Sequence, residues 1–352
     1  MILLRNKVWK SRLRKLVLLA IGLYYISFIQ RYRSHFSEFL PALKYKDLRV
    51  GNESLRNNVT DITPTIVNST YKDDTNNTNN RSITENPICP LVPPKLVGPL
   101  IVNHEAPPLE EQERLHPELE PGGRFLPADC RARHRVAIIV PFRDRLSQVP
   151  PFLHHMHPIL QRQQLEYVIY IVEQAAQEQF NKGILMNAAV IESLKQYEFD
   201  CFVFHDVDLL PENDRNLYTC PDQPRHLAQL VDTLRYKLLS LDMFGGVVAL
   251  TTEQFKTVNG FSNSFWGWGG EDDDMGNRVK FHGLFITRYP HEIGRYTMLK
   301  HKKEKPSGTR FTSLTNGTSR YLTDGINSVK YDILDVQLRP LYTWISVNFT
   351  RS

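Results

Sequence analysis

Three apolar runs stand out along the chain: "RVAIIVPF" (135–142), "EYVIYIVEQ" (166–174) and "DCFVFHDVD" (200–208). Continuous runs rich in β-branched residues suit strands buried on both faces. Between them lie "LSQVPPFLHHMHPILQRQ" and "FNKGILMNAAVIESLKQ", and the second carries a helical stripe at Ile184, Leu185, Ala188, Ile191 and Leu194. The order strand-helix-strand-helix-strand implies an α/β fold with a right-handed, mostly parallel sheet flanked by helices. Ligands of such sheets bind beyond the carboxyl ends of the strands.

A fourth apolar run, Leu16 to Ile29, lies near the N-terminus and is preceded by Arg5, Lys7, Lys10, Arg12, Arg14 and Lys15. It is short for a spanning helix, but no small-residue cleavage site follows it and basic residues flank both ends. The pattern predicts a cytoplasmic tail over 1–15 and a single-pass signal anchor over 16–30, with the more basic side in the cytoplasm. Residues 31–88 are polar, rich in Asn and Thr and without hydrophobic period, and read as a disordered stem. Sequons at Asn52, Asn58, Asn68, Asn76 and Asn80, with others at Asn316 and Asn348, agree with a luminal, glycosylated chain. The folded domain then spans 89–352. The formal charge of +5 resides in the six cations before the anchor, so the basic balance gives nucleic-acid binding no support.

Candidate chemistry gathers at the strand ends. The first strand closes on "PFRDR", placing Arg143 and Arg145 where a phosphate could be held, and the third closes on "DVD", Asp206 and Asp208. Two carboxylates at the mouth of a buried strand call for a cation or donors. "FWGWGGEDDDMGNR" (265–278) joins two tryptophans, three glycines and four successive acids. Read alone it is either an acidic helix start after a turn, or a mobile aromatic loop that delivers carboxylates to a polar substrate. No GxxxxGK[ST], GxGxxG or GxSxG stretch occurs, which argues against kinase, dehydrogenase and α/β-hydrolase chemistry. The four cysteines, Cys89, Cys130, Cys201 and Cys220, have no zinc-ligand spacing and suit two disulfides in any of three pairings.

"FVFHDVDLLPENDRNLYTC", "FGGVVALT", "NGFSNSFWGWGGEDDDMGNR" and "RYTMLKHKKEK", in that order, resemble the β-1,4-galactosyltransferase family of Golgi enzymes over roughly Cys89 to Phe311. The resemblance implies a GT-A type glycosyltransferase fold, a Rossmann-like sheet with flexible lid loops, a Golgi type II membrane location and a Mn²⁺ cofactor. It implies that Asp208, Met298 and His301 bind the metal, and that Cys89 pairs with Cys130 and Cys201 with Cys220. Pro141, Phe142, Arg143, Arg145, Phe180 and Lys182 would cradle the nucleotide with Asp206, Val207 and Asp208; the family often has Arg in place of Lys182. Glu271 would bind the donor sugar, alongside Gly246, Trp268 and His301. Asp272 would be the base on the acceptor O4. Asp273, Gly270, Trp268, Arg310 and Phe311 would complete the acceptor site, the glycines letting the loop close Trp268 over bound sugar.

Met243 stands where vertebrate galactosyltransferases place a Tyr and the family's invertebrate-type N-acetylgalactosaminyl members an aliphatic residue. The implied reaction is therefore inverting transfer of GalNAc from UDP-GalNAc to O4 of a terminal β-linked GlcNAc, with UDP-Gal as the alternative donor. A catalytically silent sugar-binding protein is the third reading, although both acid groups are intact. On a helix beginning near Glu271 successive side chains turn about 100° apart. Asp274 is thus expected to point away from the acceptor and to serve the helix N-terminus, a contribution of about 0.3 to 1 kcal/mol.

Overall fold

The structure, a computed structural model, describes residues 86–351 except 176 and 303. The tail, the anchor and the stem sequons lie outside the described residues. Among the described residues no helix is long and apolar enough to cross a membrane. All of them belong to one compact unit, Asn80–Ser352.

Strands β1 (Arg135–Phe142) and β2 (Glu166–Gln174) occupy the ranges read from the sequence, with α2 (Val149–Arg162) and α3 (Lys182–Gln196) in the intervals; a short α1 (Leu109–Leu115) precedes them. Strand β3 (Cys201–His205) ends sooner than its apolar run, so Asp206 and Asp208 leave the sheet at its carboxyl edge. These three strands and β10 (Thr343–Asn348) form a parallel centre, β1 in register with both β2 and β3. The edges are antiparallel: β7 (Val247–Thr251) on β3, β5 (Arg225–His226) on β7, and β9 (Asp332–Leu338) on β10. The full order is β5-β7-β3-β1-β2-β10-β9. A second sheet, β4-β8-β6, joins β4 (Leu209–Pro211), β8 (Arg295–Met298) and β6 (Leu230–Val231).

Side chains of β1 alternate between two cores, as strand geometry requires. Val136, Ile138 and Val140 pack with Phe152, Leu153 and Met156 of α2. Ala137 and Ile139 pack with Leu185, Met186 and Ala188 of α3 and with Met275 and Val279 of α5 (Glu271–Phe281). The disulfides are Cys89–Cys130 and Cys201–Cys220, the pairing that the family resemblance implies. The second closes a span of 19 residues around Asp206 and Asp208; a loop of that size is worth about 3 kcal/mol in unfolded-chain entropy.

Helix α5 corrects one expectation. Asp274 is fully buried, and its carboxylate takes a 2.6 Å bond from Nε of the equally buried Arg278. Arg278 also donates to the carbonyls of Val258 and Tyr321 and lies 3.9 Å from Asp324. Burial pushes the Asp274 carboxyl above its usual range even against Arg278. The pair therefore serves to fix the position of α5 rather than to complement a helix dipole. Asp274→Ala leaves a buried guanidinium short of its partner and should cost about 3 to 5 kcal/mol in denaturant unfolding, with Asp274→Leu/Arg278→Met costing less than either single change. A cost under about 1 kcal/mol for Asp274→Ala would return this residue to the dipole role.

Candidate active site

The carboxyl end of β3, the start of α3 and the start of α5 converge on one point, the ammonium of Lys182. Asn181 caps α3 by accepting from the Ile184 N–H, which makes Lys182 the first helical residue. A cation there opposes the helix dipole, so it needs acids nearby. Its Nζ lies 2.9 Å from Asp206, 3.3 Å from Asp272 and 3.9 Å from Glu271. Burial works against the charge of Lys182, but these three carboxylates outweigh it and hold the ammonium well above its usual range.

Asp272 reaches this point because α5 starts from Gly270, whose φ of 103° is left-handed backbone that a side chain strains. A Cβ on Gly270 would also lie 2.7 Å from the Phe265 ring. On its other side Asp272 packs directly against Gly245, where a Cβ would collide with the carboxylate. Burial raises the Asp272 carboxyl to about 7, with Glu271 and Asp206 adding to the shift and Lys182 opposing it. Glu271 is raised by burial as well, whereas Asp273 is exposed.

Asp208 sits deeper, 3.6 Å from Nη1 of Arg145 and 3.2 Å from Nδ1 of His301. Burial first, and then the neighbouring Asp206, push its carboxyl to about 7. Met298 is brought alongside by the small sheet, in which Leu209 pairs with Met298 and the Leu299 N–H donates to the Asp208 carbonyl. The carboxylate and the imidazole are thus in contact, and Met298, whose sulfur accepts from the Thr233 hydroxyl at 3.6 Å, lies on the neighbouring strand; the three would form a donor set of mixed hardness that suits a first-row divalent cation. A cation there would also relieve the crowding of Asp206 and Asp208.

Of the residues expected to cradle the nucleotide, Pro141 and Phe142 are buried and Arg143 meets Phe180. Pro141 and Phe142 end β1; Arg143 donates to the Glu178 carbonyl and lies over the Phe180 ring at 5.3 Å. The Phe180 carbonyl accepts from the Gly267 N–H, which ties Phe180 to the tryptophan loop. Val207 is buried between the two acids, and the half-buried Met243 and the buried Phe244 lead into Gly245 and Gly246 before β7. Trp268 is 57% exposed, and its carbonyl accepts from the Ser307 N–H. Arg310 lies over both Trp268 (5.6 Å) and Phe311 (4.6 Å), so the loop and the 306–311 segment meet through one guanidinium. Sequence reasoning missed Gly245, which the Gly-Gly pair could have signalled. It also missed the reach of Lys182 to Asp272, which has no local signature because the two lie 90 positions apart.

Residues 89–221 match the N-terminal region of glycosyl transferase group 7, and residues 225–302 match the N-terminal domain of galactosyltransferase. The chain is 46% identical over 266 residues to β-1,4-galactosyltransferase 1 of Homo sapiens, covering 74% of this chain and 67% of that one. It is 45% identical to β-1,4-galactosyltransferase 2 of Cricetulus griseus, over 75% and 73% of the two chains. The solved catalytic domain of Drosophila β-1,4-galactosyltransferase 7, in complex with xylobiose, superposes with a TM-score of 0.54 at 30% identity, covering 62% of this chain and 95% of that one. A mutant of that enzyme, solved in complex with manganese, UDP-Gal and xylobiose, superposes at 0.53, also at 30% identity, over the same shares. With a central parallel sheet, acids at its carboxyl edge and these relatives, the chain is a glycosyltransferase of GT-A fold that belongs to the β-1,4-galactosyltransferase family.

Proposed function

We propose that this chain transfers GalNAc from UDP-GalNAc to O4 of a terminal β-linked GlcNAc, with inversion at the anomeric carbon. The observation that carries the transferase chemistry is the meeting of Asp206 and Asp272 on one Lys182 ammonium. It supports this reading because a carboxylate from the start of α5 and one from the strand mouth share a single cation. Displacement with inversion needs a base on the incoming hydroxyl and charge neutralisation on the departing diphosphate.

Asp272, with its carboxyl near 7, takes the proton of the acceptor O4 as that oxygen attacks the anomeric carbon. Glu271, beside it, holds the donor sugar and Asp273 a neighbouring acceptor hydroxyl. Arg143, Arg145, Phe180 and Lys182 hold the nucleotide. Asp208, Met298 and His301 would hold Mn²⁺, which would supply charge neutralisation for the diphosphate. Trp268, Arg310 and Phe311 cover the sugars and limit water. The anchor and stem read from the sequence place this chemistry in the Golgi lumen.

The donor assignment rests on Met243. Its backbone is held by an Arg288 bond to its carbonyl and by its own N–H to Ser240. Its side chain is an unbranched thioether, with no hydroxyl to oppose a 2-acetamido group and freedom to move aside. A second reading, UDP-Gal as donor, is favoured by the galactosyltransferase names of relatives with 45–47% identity.

Turnover of both UDP-sugars with a GlcNAc glycoside separates these readings. The wild type is expected to favour UDP-GalNAc, and Met243→Tyr to shift the kcat/KM ratio toward UDP-Gal by about tenfold or more. A wild-type preference for UDP-Gal would replace the donor assignment, and absence of turnover with either sugar would favour the silent sugar-binding reading. For the base, Asp272→Asn should lower kcat by about 10² to 10⁴ while UDP-sugar binding persists. The carboxyl must be ionised to accept the proton, so wild-type kcat/KM should fall as pH drops through about 7. A flat profile between pH 8 and 5.5 would exclude Asp272 as the titrating base.

A further inference from the structure

A chain of buried side chains joins the two sheets behind the acids. Nε2 of His205 lies 2.8 Å from the Tyr218 hydroxyl, which lies 3.0 Å from the Tyr296 hydroxyl. The Tyr296 hydroxyl lies 3.3 Å from Nδ2 of Asn216. All four residues are at most 1% exposed. On the other side of its ring, His205 contacts the Asp206 carbonyl through Nδ1 at 2.9 Å.

The direction of every bond follows from chemistry. A carbonyl only accepts, so Nδ1 of His205 carries the proton. A neutral ring then leaves Nε2 bare, and burial keeps it neutral. Nε2 accepts from the Tyr218 hydroxyl, the Tyr218 oxygen accepts from Tyr296, and the Tyr296 oxygen accepts from Asn216 Nδ2, an amide nitrogen that can only donate and that also donates to the Leu227 carbonyl. The chain is therefore a one-way relay with a single satisfied arrangement.

Its two ends sit on different elements. His205 is the last residue of β3 and directly precedes Asp206; Tyr296 lies on β8, opposite Pro211 and two residues before Met298. The relay thus spans from the strand that delivers Asp208 to the strand that delivers Met298 and leads on to His301. The disulfide at Cys220 and a bond from the Tyr218 N–H to Gln163 fix the middle of the relay to the core.

We propose that Tyr218 is a positioning residue for the metal: its hydroxyl, held between His205 and Tyr296, sets the distance between the two arms that carry Asp208, Met298 and His301. This inference rests on the metal ligands proposed above. Outer partners that orient ligands typically govern metal affinity by about 10- to 100-fold.

Free Mn²⁺ measured by electron paramagnetic resonance, in titrations of the full-length protein at saturating UDP, reads this directly. Tyr218→Phe removes one oxygen and should raise the Mn²⁺ dissociation constant by about 10- to 100-fold. His205→Leu should do the same, while His205→Gln, whose amide can donate to Asp206 and accept from Tyr218, should restore most of the affinity. An unchanged Mn²⁺ affinity in folded Tyr218→Phe overturns the proposal, as does equal loss in His205→Gln and His205→Leu. If Tyr218→Phe does not fold, Tyr296→Phe supplies the same reading, and failure of both to fold makes the relay a folding element and overturns the positioning role. His301→Ala and Met298→Ala separate this from the ligand assignment. His301→Ala should weaken binding strongly and Met298→Ala mildly, since imidazole is the better ligand. If neither changes the titration, the ligand assignment fails; if they do and Tyr218→Phe does not, the relay alone fails.

Discussion

One buried ammonium organises the cleft. Lys182 stands at the start of a helix, where a cation is disfavoured, and is stabilised there by three carboxylates from two other parts of the chain. Asp206 comes from the end of β3, while Glu271 and Asp272 come from the first turn of α5. Without a cation between them these acids would repel one another. The same contacts account for the local backbone: Gly245 cannot carry a Cβ because Asp272 lies against it, and α5 can begin at Glu271 only because Gly270 adopts a left-handed turn.

Two further constraints keep those acids in place from behind. The buried Asp274–Arg278 pair fixes α5 against the Val258 and Tyr321 carbonyls, so of the four successive acids Glu271 and Asp272 face Lys182, Asp273 is exposed and Asp274 faces the core. Around Asp208 the small sheet β4-β8-β6 pairs Met298 with Leu209, and the hydrogen bonds of Tyr218 bolt that sheet to the end of β3. The site is thus assembled from elements whose separation is set by buried polar contacts, while the apolar cores on the two sheet faces supply the bulk of the burial.

The parts of this arrangement that are written locally were legible in the sequence. Strands β1 and β2 were visible because seven and six consecutive apolar residues leave no alternative period, and α3 because its stripe repeats at helical spacing. The acids at 206, 208 and 271–274 could be found as chemistry because unpaired carboxylates beside apolar runs are costly. The small sheet was not legible: strands of two to four residues are too short to show any period, and Met298 joined Asp208 only through family resemblance. The structural role of Asp274 was hidden by the run of acids around it, although Arg278 four residues later was a usable sign. His205, Tyr218 and Tyr296 read as core or surface residues one at a time, because their meaning lies in bonds between distant positions.

The central claim is that Lys182 couples the donor-side acids to Asp272, and a double-mutant cycle on kcat/KM tests it most directly. Lys182→Met and Asp272→Asn, alone and together, should show a coupling energy of about 1 to 3 kcal/mol, the double variant being far less impaired than the product of the two single effects. Strictly multiplicative effects would contradict it, and would mean that Lys182 serves the nucleotide without acting on Asp272.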